Sequence, residues 1–200
     1  MDPITSLDYE SFFATALEGP EVAADLYARA CAACDVNAKR VLHQAARLAS
    51  LADWMDKAAP ARPALKIFFW VILAEAIAKM AFSFTGTGES RNHVHKFFEE
   101  LCPTEDRARL ASSFRRTNTT PHSLLNTSEA VDVLYNVRNS VAHRGEYFLF
   151  NLLEPAHSAT ITPYEGGTLQ ALISPSELRA IVIRGAIAGA EKLIAASPAA

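Results

Sequence analysis

Apolar positions recur every three or four residues along most of the chain, which is the signature of amphipathic helices packed on a common core. Residues 6–18 and 21–34 read as two helices, with Ser6 as a cap for the first and Gly19-Pro20 separating them. Val41, Leu42, Ala45, Leu48, Leu51 and Met55 repeat at helical spacing and predict a helix over 37–57, entered at Asp35 or Asn37. Ala59-Pro60-Ala61-Arg62-Pro63 is a stiff break, and Pro63 suits the first position of a long helix over 63–82. That helix is apolar nearly all round, so it belongs at the centre. Shorter helices are expected at 90–101, after the Gly86-Thr87-Gly88 turn, and at 104–116, with Thr104 as its cap.

A further helix starts near Asn126 or Thr127, where Asn126 and Glu129 have capping-box spacing. It ends at Gly145, a residue suited to the left-handed terminator position. Past it the pattern changes. Glu146 to Leu153 is aromatic and apolar and reads as a strand. Thr160-Ile161-Thr162 and Thr168 to Ile173 flank Glu165-Gly166-Gly167 and read as a hairpin. Ser174-Pro175-Ser176-Glu177 starts a last helix that runs to about Ala195. The expectation is a mainly α fold, a helical bundle with a small β-hairpin near the C-terminus. It forms one domain over 1–200: N-terminal helices at 1–57, a core at 63–146, and the hairpin with the C-terminal helix at 147–200.

Composition narrows the function. The chain is 50% hydrophobic and 20% charged, with a formal net charge of −3, which argues against a protein that coats nucleic acid indiscriminately. The charge is uneven, however. Residues 1–57 hold five Lys/Arg and nine Asp/Glu, a net of −4, whereas residues 91–144 hold eight Lys/Arg and six Asp/Glu, a net of +2. Three cysteines are too few for a disulfide scaffold, and Cys31-Ala-Ala-Cys34 has no second pair to complete a zinc site, so it reads as two small residues on a packed helix. The acidic N-terminus does not resemble a signal peptide. The longest apolar run, Ile67 to Ala74, is too short to span a bilayer. A reduced, cytoplasmic setting and no membrane partner are expected.

Candidate chemistry concentrates at Arg138-Asn139-Ser140-Val141-Ala142-His143. On a helical wheel with Arg138 at 0°, Val131, Leu134, Val141 and Val137 fall at about 20°, 320°, 300° and 260° and form the core stripe. Arg138 lies inside that stripe. Asn139 and His143 fall at about 100° and 140° and are neighbours one turn apart. An arginine fork binds phosphate oxygens, and a histidine transfers protons near neutral pH. Together they could turn an RNA 2′-hydroxyl on the adjacent phosphorus, with His143 as acid or base, Arg138 on the phosphorane charge and Asn139 positioning either. Glu75, alone in its apolar helix, is a partner for Arg138, an i,i+4 partner for Lys79, or a support to the chemistry; the first is preferred. Arg144, Arg115 and Arg116 are candidate contacts to the RNA backbone, the last two read as a helix end. His93-Val94-His95 reads as a solvated helix start rather than a metal site. Tyr147, Phe148 and Phe150 read as core or dimer contacts.

The Arg138-Asn139-x-x-x-His143 spacing, late in a helix that ends at Gly145, resembles the signature of the HEPN family (higher eukaryote and prokaryote nucleotide-binding). The resemblance covers residues 63–146. It implies a helical bundle that dimerises and sets two motifs face to face. It also implies a metal-independent endoribonuclease acting on single-stranded RNA in a toxin–antitoxin or phage-defence setting, without cofactor or metal, and with an antitoxin or regulatory protein as a further partner. Arg138 and His143 would be catalytic and Asn139 would support them. The alternative within the same resemblance is a non-catalytic dimer that binds nucleotides or a protein partner.

Overall fold

The structure, a computed structural model, describes residues 6–117, 123–148, 150–152, 160–164 and 167–197. Its helices are α1 (Ser6–Ala14), α2 (Pro20–Ala32), α3 (Val36–Ala58), α4 (Pro63–Ala81), α5 (Ser90–Lys96), α6 (Thr104–Ala111), α7 (Thr127–Arg144) and α8 (Pro175–Ala196). A π-helical turn, Phe97–Leu101, continues α5. Three short strands, β1 (Phe114–Arg116), β2 (Thr160–Tyr164) and β3 (Gly167–Ala171), complete the described elements.

Helix α4 is the hub, as its unbroken apolarity predicts. It packs against α3, α5, α7 and α8, and Ile67, Trp70, Leu73, Ala74 and Ile77 are sealed from solvent. Alanines supply much of the facing surface on α3, where Ala38, Ala45, Ala49 and Ala52 are buried, so α3 and α4 approach closely. Helix α8 packs against α3, α4 and the π-helical turn. A β-carbon at Gly185 would stand 2.6 Å from the Phe97 ring and 2.8 Å from Cys102 Sγ, so glycine is what admits that crossing. Ion pairs lock the outer helices: Arg179 of α8 forks onto Asp53 of α3, and Arg29 of α2 forks onto Glu191 of α8. No helix of the described residues is long and apolar enough to cross a membrane.

The hairpin is present as β2 and β3, antiparallel, with Thr160 opposite Ala171 and Tyr164 opposite Gly167. It gains a third strand that the sequence pattern does not announce. Residues 104–116 are not one helix: α6 stops at Ala111, and Phe114–Arg116 pairs antiparallel with β3, Phe114 opposite Ala171 and Arg116 opposite Leu169. Ser112 and Ser113 turn the chain, and the buried Ser113 hydroxyl donates to the Arg109 carbonyl. Phe114, Leu169 and Ala171 then face the core. The expected strand over 146–153 is not formed among its described residues; Phe150 and Leu152 enter the core from irregular chain instead, Phe150 meeting the Phe114 ring at 6.2 Å. Cys31 and Cys34 are exposed rather than packed: Cys31 is on the solvent side of α2, and Cys34 lies past the end of that helix at Ala32. Asp35 caps α3 by accepting from the Asn37 N–H, and Pro103 rather than Thr104 precedes α6.

Candidate functional site

Helix α7 carries the candidate residues, and both of its ends are fixed by local chemistry. At the start, the Asn126 side chain accepts from the Glu129 N–H while Glu129 accepts from the Asn126 N–H. At the end, Gly145 takes a left-handed conformation, φ 67°, and its N–H reaches the Ser140 carbonyl. Val131, Leu134 and Val137 are buried, Val141 half-buried, and Arg138 sits within this stripe, as the wheel places it.

The Arg138 side chain is about 20% exposed and lies at the seam between α7 and α4. One guanidinium nitrogen, Nη1, donates to Asn139 Oδ1 at 2.9 Å. Nη2 reaches Glu75 Oε2 at 3.5 Å, and Nε is buried with no hydrogen-bond partner among the described residues. The guanidinium also lies 5.8 Å from the centre of the Tyr135 ring. Glu75 has closer partners: Lys79 Nζ at 2.6 Å and the Ser90 hydroxyl at 2.8 Å, both on Oε1. Two of the roles foreseen for Glu75 therefore coexist, and the stronger bond is to Lys79. Burial opposes ionisation of Glu75, but the hydrogen bonds from Lys79 and Ser90 and the charges of Lys79 and Arg138 outweigh it and hold the carboxyl below its usual range. The stabilisation this gives is complete at neutral pH and is lost as the pH falls through that lowered value.

His143 is exposed and has no side-chain hydrogen bond among the described residues. It stands one turn beyond Asn139 on the outer face of α7. Arg144 is exposed and 3.7 Å from Glu146. Tyr147 and Phe148 are exposed beside this end of the helix, their rings edge to face at 6.0 Å, whereas Phe150 is core. Thus Arg138 and Asn139 are joined directly, while His143, Arg144, Tyr147 and Phe148 are exposed at and just past the end of the same helix.

Arg115 and Arg116 are not at a helix end. They lie on β1, and Arg116 pairs with Glu129 at 2.7 Å, which ties the sheet to the first turn of α7. The two histidines at 93 and 95 also differ from a solvated helix start. His93 is 2% exposed, packed on the Phe84 ring at 4.3 Å, and neither ring nitrogen has a partner among the described residues; burial first, then the Lys79 charge, pushes its pKa down. His95 bonds Asp132 at 2.8 Å and Glu99 at 3.2 Å. Neither environment was visible in sequence, because both depend on helices brought together by the fold.

Helix α7 has one continuous polar stripe: Glu129, Asp132, Asn136, Asn139 and His143, spaced by three and four residues. On the helical wheel Asp132, at about 120°, already falls between Asn139 and His143. Among the described residues, no three His, Cys, Asp or Glu are disposed to hold a metal ion. Compared with known proteins, the chain matches no family model, no curated protein and no solved structure.

Proposed function

We propose that this protein is a metal-independent endoribonuclease of the kind its Arg-Asn-x-x-x-His signature resembles, working as a homodimer on single-stranded RNA. The observation that carries the reading is the Arg138–Asn139 hydrogen bond. Arg138 donates to Asn139, and the exposed His143 stands one turn beyond Asn139 on the same helix. Arg138 would hold a scissile phosphate, and His143 would take the 2′-hydroxyl proton as that oxygen attacks phosphorus. The 5′-oxygen leaves with a proton from the second histidine or from water. One chain supplies an open half-site. A second chain across a two-fold, seated on the Tyr147–Phe148 rim, would enclose it and bring a second motif opposite the first.

A second reading has its own support. The tie from Arg138 to Glu75 suits an arginine that organises a nucleotide- or protein-binding dimer without cleaving anything. A toxin–antitoxin or defence role belongs to the first reading and would add a protein partner.

The purified protein is expected to cut single-stranded RNA in EDTA and to leave a 2′,3′-cyclic phosphate, because attack comes from the neighbouring 2′-hydroxyl and not from an activated water. Product analysis by mass spectrometry checks this, with sedimentation at micromolar concentration to establish the dimer. Cleavage abolished by chelation, equal cleavage of DNA, or an active monomer would each contradict the mechanism as stated. Nucleotide binding without cleavage would select the second reading.

A further inference from the structure

A groove of about 310 Å³ runs along the first half of α7, on the same polar stripe as Asn139 and His143. Arg91 and Arg116 line it together with Glu129, Asp132, Tyr135 and Asn136 of α7, and the buried Leu125 contributes an apolar surface. Its size falls at the lower end of small-ligand clefts. It combines two planar cations, an aromatic ring, an amide with both donor and acceptor, and a patch of hydrocarbon. We infer that this groove binds one nucleoside monophosphate unit, its phosphate on Arg91 and Arg116 and its base against Tyr135 and Asn136.

Both arginines are paired in the groove with carboxylates that have other partners as well. Arg91 forks onto Asp132 at 2.8 and 2.6 Å, with its own side chain 61% exposed. If Arg91 turns to a phosphate, Asp132 keeps the His95 bond at 2.8 Å. Arg116 holds Glu129 Oε1 at 2.7 Å, and Glu129 Oε2 keeps the Asn126 N–H at 2.8 Å. Each carboxylate therefore retains a partner when its arginine leaves, so neither is stranded. A phosphate offers both arginines the bidentate geometry their carboxylates now supply, with more charge.

The groove also connects to the candidate catalytic residues. One face of Tyr135 is covered by the Arg138 guanidinium, while the ring lines the groove. Asn136 and His143 are two turns apart on one stripe, about 10.5 Å along the axis. A neighbouring nucleotide of a strand held at Arg138 and His143 would reach that far. The location beside the cut rests on the ribonuclease reading above; the nucleotide binding does not.

The test is isothermal titration of the full chain with adenosine and guanosine 5′-monophosphates, with inorganic phosphate and the unphosphorylated nucleosides as separate arms. At least one monophosphate is expected to bind about ten-fold or more tighter than phosphate or its nucleoside. Arg91→Gln and Arg116→Gln are each expected to weaken it by about ten-fold. Arg91→Gln changes an exposed side chain, so it remains informative if Arg116→Gln disturbs β1; a thermal melt verifies each fold. Equal binding of phosphate and monophosphate would reduce the groove to an adventitious anion site and overturn the inference, as would no binding, or binding unchanged in both variants. RNA cleavage is measured alongside. A loss in both variants that falls on KM and flattens the base preference beside the cut supports the subsite. Tight nucleotide binding in a protein that cuts no RNA removes the ribonuclease reading and leaves the groove standing.

Discussion

His143→Ala is expected to lower RNA cleavage by about 10²-fold or more, the usual contribution of a positioned proton-transfer group. Its stability should change by no more than about 0.5 kcal/mol, because His143 is exposed and bonds to nothing described in the fold. Arg138→Ala should lose activity as completely, but with a different stability. From sequence, an arginine in the core stripe facing a lone buried Glu75 implies a loss of roughly 3–5 kcal/mol. The structure lowers that figure. Glu75 Oε1 remains bonded to Lys79 and Ser90, and only the long 3.5 Å contact at Oε2 disappears. A cost of about 1–3 kcal/mol is expected, that of one weakened buried acceptor. Glu75→Gln should then restore little to the Arg138→Ala variant. Each variant needs a cleavage rate and a thermal melt on the same preparation. Full activity in both alanine variants would end the ribonuclease reading and favour the binding dimer.

The largest effect on stability is expected between α6 and α8, away from the candidate site residues. The Asp106 carboxylate in the first turn of α6 is 4% exposed and is held by Arg184 of α8 at 2.7 and 2.5 Å. Arg184→Ala removes both bonds and leaves a buried negative charge, at a cost of roughly 3–5 kcal/mol. Asp106→Asn in the same background removes the charge and should recover part of the loss. Urea denaturation of the two variants and the parent measures this directly. A loss below about 1 kcal/mol for Arg184→Ala would mean that water reaches Asp106. Because α6 also packs on α7, the same pair helps to hold the motif helix in place.

Features set by near neighbours in the chain were legible before the structure. Pro63 opens α4, Gly145 closes α7, and both capping boxes form as their spacing implies: Asn126 with Glu129, and Ser174 with Glu177. The inward position of Arg138 followed from the helical wheel alone. What stayed hidden depends on contacts distant in sequence. Phe114-Arg115-Arg116 becomes a strand between β3, more than fifty residues later, and the nearby chain at 123–125, which bonds it on the other side. The segment with Phe150 and Leu152 reads as a strand from its aromatic and apolar residues, yet pairs with no strand among the described residues. The partners of Glu75 and His95, the burial of His93 and the groove on α7 each require two or more helices to meet. No single-helix periodicity contains them.

The position of Cys102 gives the molecule a built-in clock. Its sulfur lies beneath α8, 2.8 Å from where a β-carbon on Gly185 would be, and burial above all, with Asp106 adding, pushes the thiol far from ionisation. Cys31 and Cys34 are on the surface. A thiol reagent should therefore modify two sulfhydryls promptly and the third only when α8 lifts off the π-helical turn. The slow phase would time that opening in the native protein, and any partner that clamps α8 would lengthen it.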